Sequence, residues 1–146
     1  MRWIDIDLSA GRIERKRVED GICEQFIGGS GLGACIAYRE KLWEHDPLSP
    51  GNVLILAAGP FTGTKIPCSG RHALISRSPL TGMFAESDVG GRWGVALVKC
   101  GIHLVTLRGV SDRPVYAEIS PAGCRLRSAD GIWGLDTFDT SDRLQE

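Results

Sequence analysis

Val53-Leu54-Ile55-Leu56-Ala57-Ala58-Gly59-Pro60 is the stretch from which the rest of the chain is read. Six consecutive apolar residues stand between a turn built from proline and glycine, Asp46-Pro47-Leu48-Ser49-Pro50-Gly51-Asn52, and the breaker Gly59-Pro60. A run of that length, with no polar face, suits a strand buried on both sides better than a helix.

Working outward, the segments on either side are short and punctuated by turn residues. Toward the N-terminus, Trp3 to Leu8 alternates apolar and polar, Ser9-Ala10-Gly11-Arg12 turns, and Ile13 to Val18 runs out again, which predicts a β-hairpin. Glu19 to Phe26 predicts a short helix ended by Gly28-Gly29. A second helix is expected from Ser30 or Gly31 to Leu42, with Leu32, Cys35 and Ile36 at helical spacing. Toward the C-terminus, His72 to Ser76 reads as a strand and Ser78-Pro79-Leu80-Thr81-Gly82 as a turn. Met83 to Ser87 is either a strand or an extended loop. Gly90-Gly91 opens a helix over Arg92 to Lys99, closed by Cys100-Gly101 in the place of a C-terminal glycine cap. His103 to Arg108 is a further strand, and Val115 to Ile119 with Cys124 to Arg127 make a second hairpin around Pro121-Ala122-Gly123. Asp139 to Glu146 reads as the first turns of a helix without a stop signal. The expected class is α+β, with mostly antiparallel β-sheets and a few interspersed helices. Residues 1–146 are expected to be a single domain and a fragment of a longer protein.

Composition narrows the function. Hydrophobic residues make up 42% and charged residues 24%, as in ordinary globular proteins, and the net charge of -1 gives no footprint for nucleic acid or an anionic membrane. No apolar run approaches a membrane span, and the N-terminus does not read as a signal peptide, so a cytoplasmic location is expected. The five cysteines, Cys23, Cys35, Cys68, Cys100 and Cys124, are scattered and odd in number, which predicts small buried thiols rather than a disulfide framework or a metal knuckle. The 19 glycines are the departure from the ordinary, because many fall in two clusters. Glycine admits positive φ and lets another group approach the backbone.

Three segments could carry chemistry. Gly28-Gly29-Ser30-Gly31-Leu32-Gly33 opens a helix and could receive an anion, or could serve as a tight helix–helix turn. Its spacing is not G-x-G-x-x-G and no clean strand precedes it, so a dinucleotide site is a minor alternative. Gly59 to Arg71 is too polar and glycine-rich for core; Arg71 after Gly70 is either a solvated surface residue or a forked donor for phosphate or a ring carbonyl. In Glu86 to Gly94, Gly90 and Gly91 expose backbone N–H groups, and Asp88 would either cap the helix or hold Mg²⁺ beside phosphates. His45, His72 and His103 lie apart with no nucleophile signature near them; His72 is held open because it adjoins Arg71.

Taken in order, these segments resemble the N-terminal domain of the tungsten-containing aldehyde ferredoxin oxidoreductases. The resemblance is carried by Phe26-Ile27-Gly28-Gly29-Ser30-Gly31-Leu32-Gly33, by Asp46 to Asn52 continuing through Ala57-Ala58-Gly59-Pro60-Phe61-Thr62-Gly63-Thr64, by Ser69-Gly70-Arg71 through Ser78-Pro79-Leu80-Thr81-Gly82, and by Gly90-Gly91-Arg92-Trp93-Gly94. It implies a β-sheet base for a bis-molybdopterin cofactor of tungsten or molybdenum. Arg71 would contact the pterin near an iron–sulfur cluster, Asp88 would give an oxygen to a Mg²⁺ bridging the pterin phosphates, and Gly90, with Gly91 beside it, would lie against the pterin. The family's usual asparagine is Asp88 here. The resemblance further implies oxidation of aldehydes to carboxylic acids with ferredoxin as acceptor. The [4Fe–4S] ligands and the catalytic acid and histidine of the family fall outside this stretch, so the piece alone is expected to be inactive. A self-associating, non-catalytic module is the alternative reading, since exposed sheet edges favour homo-oligomers.

Overall fold

In the computed structural model, which describes residues 1–145, eight strands, four α-helices and one 3₁₀ turn succeed each other along the chain. They are β1 (Arg2–Asp7), β2 (Arg12–Arg17), α1 (Asp20–Phe26), α2 (Gly29–Arg39), a 3₁₀ turn (Leu42–Glu44), β3 (Val53–Ala58), β4 (His72–Arg77), β5 (Phe84–Val89), α3 (Trp93–Lys99), β6 (Leu104–Arg108), β7 (Val115–Ser120), β8 (Gly123–Ser128) and α4 (Thr137–Gln145). Six strands form one sheet in the order β2-β1-β6-β3-β4-β5, and β7 and β8 form a separate ribbon. The architecture is mixed α/β with a mostly antiparallel sheet, as the turn-punctuated sequence predicts. One pair breaks the pattern: β1 and β6 run parallel, Ile4 opposite Val105.

The strand quoted above lies centrally, with β6 on one side and β4 on the other. Its alternate side chains go to two different cores. Val53, Ile55 and Ala57 join Leu32, Ile36 and Ile75 beneath α1 and α2, while Leu56 packs with Ile4, Ile6, Leu97 and Val105 beneath α3 and the β7–β8 ribbon. Both faces are therefore covered, though Leu54 and Leu56 are half-buried rather than fully enclosed.

Two expectations are corrected here. The second helix stops at Arg39 rather than Leu42, because Lys41 turns into the left-handed region at φ 51° and a 3₁₀ turn follows. The cysteines are less enclosed than expected: Cys23, Cys35, Cys100 and Cys124 pack against the two cores but stay half-buried, and Cys68, with φ 61°, is exposed. Met83 to Ser87 resolves as the edge strand β5, shifted by one residue and running to Val89. Among the described residues no helix is long and apolar enough to cross a membrane.

A polar network ties α2 to the sheet. Thr106, fully buried, donates to Asp5 Oδ1 at 2.6 Å and accepts from Trp3 Nε1 at 2.8 Å. Arg108 donates to Asp5 at 3.1 Å and bidentately to Glu40, just past the end of α2, at 2.7 and 2.9 Å; Lys16 bonds Asp5 from β2. Burial works against the Asp5 carboxylate, but the bonds from Lys16 and Thr106 and the charge of Arg108 outweigh it and hold the pKa below the usual 3.8.

Candidate functional site

The sheet register brings the glycine-rich segments to one end. Ala58 pairs with His72 and Ala73 with Asp88, so the end of β3, the start of β4 and the end of β5 lie side by side. The loop between β3 and β4 (residues 59–71) and the connection from β5 into α3 (residues 90–92) leave from that same end. Segments far apart in sequence are therefore neighbours.

Thr62 closes the base of the long loop. Its buried hydroxyl accepts from Gly59 N at 3.0 Å and donates to Arg71 O at 2.7 Å, which fixes the two ends of the loop across β3 and β4. The loop then lies on α3: a Cβ at Gly63 would stand 3.7 Å from Val98, and one at Gly70 would stand 3.2 Å from Gly91 O. At Gly94 a Cβ would meet His72 Nδ1 at 3.0 Å and Gly70 O at 3.2 Å. Gly70 and Gly94 thus leave little room for a side chain between loop, strand and helix, while Gly63 is favoured by its φ of 80°.

Arg71 and Asp88 meet across this end at 3.8 Å, with side chains 70% and 55% exposed. So open a pair is weak in water, and both groups remain available to a third partner. Asp88 sits on β5 and does not cap α3: the cap position is Arg92, which makes no side-chain cap bond. The capping reading of Asp88 is thereby overturned. Gly90 and Gly91 follow directly. Gly91 needs glycine for its φ of 85°, but Gly90 has neither a left-handed φ nor any atom within 4 Å of where a Cβ would be. Nothing in the chain itself demands glycine at 90.

His72 forms the floor. It is 4% exposed, stacks on Trp93 with ring centroids 4.8 Å apart, and its buried Nδ1 has no hydrogen-bond partner. Burial pushes its pKa below 6.5, opposed by the charge of Asp88, so the ring is neutral at pH 7. Of the other two histidines, His103 stands at this sheet end but two strands over, where its carbonyl accepts from Ala58 N at 2.8 Å. His103 Nδ1 accepts from Arg2 N at 3.4 Å, and His45 belongs to the turn after Leu42.

The first glycine cluster touches the same end but spends its glycines on its own chain. A Cβ at Gly28 would meet Ala58 O at 3.0 Å, one at Gly31 would meet Phe26 O at 2.8 Å, and one at Gly33 would strike Ile75 Cδ1 at 2.0 Å. These glycines let α2 lie close against β3, β4 and α1. Helix α1, not a strand, precedes them, so the setting of a dinucleotide fingerprint is missing. Sequence reasoning passed over Thr62 and Trp93. Their signal was their position inside Gly59-Pro60-Phe61-Thr62-Gly63 and Gly91-Arg92-Trp93-Gly94, where a lone hydroxyl or ring among glycines is the group able to fix the loop.

Metal ligation by the protein alone is not built here: the described residues contain no group of three or more His, Cys, Asp or Glu side chains that could hold an ion. A divalent cation beside Asp88 would need its remaining oxygens from a ligand, as Mg²⁺ commonly takes them from phosphates.

Comparison with known proteins adds the family. Residues 3–146 match the model of the aldehyde ferredoxin oxidoreductase N-terminal domain. The tungsten-containing aldehyde ferredoxin oxidoreductase of Pyrococcus furiosus is 34% identical over 145 residues, covering 99% of this chain and 24% of that protein. Its counterpart from Pyrococcus horikoshii is 35% identical over 141 residues, covering 97% and 23%. Among solved structures, the active site complex BamBC of benzoyl coenzyme A reductase with 1,5-dienoyl-CoA superposes with a TM-score of 0.95 at 31% identity, covering 99% of this chain and 22% of that one. The chain thus spans about a quarter of the length of these relatives.

Proposed function

Because this chain belongs to the aldehyde ferredoxin oxidoreductase family through its N-terminal domain, we propose that residues 59–94 form one side of the seat for a bis-molybdopterin cofactor of tungsten or molybdenum. On this reading the chain is the N-terminal portion of a longer, cytoplasmic oxidoreductase that converts aldehydes to carboxylic acids and passes electrons to ferredoxin. The cofactor would supply the two-electron redox chemistry, and the protein its placement and surroundings.

The observation that carries the proposal is the vacant side of Gly90 next to the Arg71–Asp88 pair. A backbone with no side chain, in open space, beside an exposed guanidinium, lets a flat heterocycle approach and gives an anionic group a forked donor. Arg71 would bind phosphate or a pterin carbonyl. Gly90 and Gly91 would offer main-chain groups, and Asp88 would give one oxygen to a Mg²⁺ completed by phosphates. Thr62 and His72 position these groups without touching the ligand. The aspartate in place of asparagine adds a negative charge, which the neighbouring Arg71 offsets. A [4Fe–4S] cluster would be held by cysteines elsewhere in the longer enzyme, and the isolated chain would be inactive.

The test is cofactor occupancy in the complete enzyme, read as tungsten or molybdenum by mass spectrometry and as fluorescence of the oxidised pterin. Gly90→Val fills the open side and is expected to empty the site, and Arg71→Gln to lower occupancy. Full occupancy in the Gly90→Val, Arg71→Gln double variant would overturn the proposal. A second reading, self-association, is favoured by the exposed edge β5 with Met83 and Phe84 beside Tyr38 and Trp43. A strictly monomeric elution in size-exclusion chromatography would count against it.

A further inference from the structure

The same end of the sheet carries a second, separate cationic corner. On one face of the β1–β2 hairpin, Arg2 lies opposite Arg17, and Arg15 lies opposite Ile4. Three arginines therefore share that face. Arg2 and Arg15 reach a cleft of about 80 Å³ between the hairpin, the end of α3 and the β7–β8 turn, lined also by Cys100, Ile102, Ser120 and Gly123.

Both guanidiniums are exposed and without a counter-charge among the described residues, and Arg15 alone is held by a hydrogen bond. Arg15 Nη2 donates to Ala122 O at 2.8 Å, and a Cβ at Gly123 would stand 2.6 Å from the same nitrogen. Arg2 Nη1 lies 3.0 Å from where a Cβ of Gly101 would be, so the glycine that ends α3 also leaves room for a guanidinium. Among the described residues neither arginine is within ion-pair distance of a carboxylate; Arg17, further out, meets Asp20 at 3.7 Å. The surrounding field is positive. Burial lowers the pKa of His103 beneath β1, and the terminal ammonium and Arg2 lower it further.

We infer that the cleft between Arg2 and Arg15 is an oxyanion site that takes a phosphate group. Its size admits a phosphate rather than a nucleotide, and two fork-shaped donors converging without a counter-charge match phosphate oxygens. It is distinct from the cofactor seat. Arg2 is on β1, and Arg71 immediately precedes β4, three inter-strand steps of about 4.8 Å away.

The test is calorimetric titration of the complete enzyme, its cofactor seat filled, at low salt with inorganic phosphate and, in a second arm, glucose 6-phosphate. One saturable site is expected, weakened about tenfold or more by Arg2→Gln and by Arg15→Gln, as for loss of a charge-assisted hydrogen bond. Arg71→Gln should leave it unchanged. Tighter binding of the ester identifies an organic phosphate as the ligand, and tighter binding of inorganic phosphate identifies the free anion. The inference fails if neither ligand saturates, or if the folded Arg2→Gln, Arg15→Gln double variant binds like the parent chain. Binding lost only in Arg71→Gln would also overturn it, while leaving the cofactor seat standing.

Discussion

At the scale of single residues, glycine has three different causes in this chain, and each predicts a different response to substitution. Gly33 is a packing glycine: its Cβ would sit on Ile75 Cδ1, so Gly33→Val should overpack the α2–β4 contact and cost about 1–3 kcal/mol in denaturant unfolding. Gly91 is a conformational glycine at φ 85°, and Gly91→Ala should cost about 1 kcal/mol. Gly90 is neither, so Gly90→Ala should leave stability within about 0.5 kcal/mol of the parent. Only the clustering of these glycines was legible in the sequence. Their causes depend on what stands opposite each one, and that is set by register. His72 makes a further residue-scale prediction. Its folded pKa lies below 6.5, chiefly through burial, so the unfolded chain takes up the proton first as pH falls. Stability is therefore full above pH 6.5 and declines below it. His72→Leu should flatten that decline in urea melts without abolishing it, since His103 is lowered in the same direction. An unchanged slope would contradict the role given to His72.

At the scale of elements, hydrophobic period and turn chemistry located nearly every strand and helix, because Pro, Gly and Asn punctuate the chain where the backbone turns. Asn52 shows how specific that punctuation is: its amide donates to Pro47 O at 2.7 Å and Arg77 O at 3.0 Å, pinning the turn before β3 to the end of β4. The end of α2 was missed because Lys41, not a glycine, takes the left-handed conformation that stops it. What holds that end down is the bidentate pair from Arg108 to Glu40, with Asp5 behind it. Arg108→Ala would leave two partly buried carboxylates without their shared cation. The expected loss is about 3 kcal/mol, read from the shift in the urea midpoint. A loss near zero would mean that the network decorates the sheet rather than fastening the helix to it.

At the scale of the whole molecule, the arrangement of the site was only partly readable. The sequence placed Arg71, Asp88, Gly90 and Gly91 in two loops, but their meeting depends on the antiparallel register of β4 with β5, which turn residues alone do not fix. The parallel pairing of β1 with β6 was equally hidden, since it joins segments about a hundred residues apart with no local signal. That pairing puts Arg2 at the same sheet end as Arg71, so exposed arginines stand at two separate places along it. The central claim is that this end of the sheet seats a metal-bearing pterin. The most direct measurement is a crystal structure of the complete enzyme, purified without oxygen, with the heavy metal located by its anomalous scattering. The account predicts a pterin lying over Gly90 and Gly91, with Arg71 on one of its oxygens and Asp88 beside a phosphate-bound cation. A cofactor seated on another surface, or a Gly59–Gly94 end filled by the protein's own chain, would contradict it.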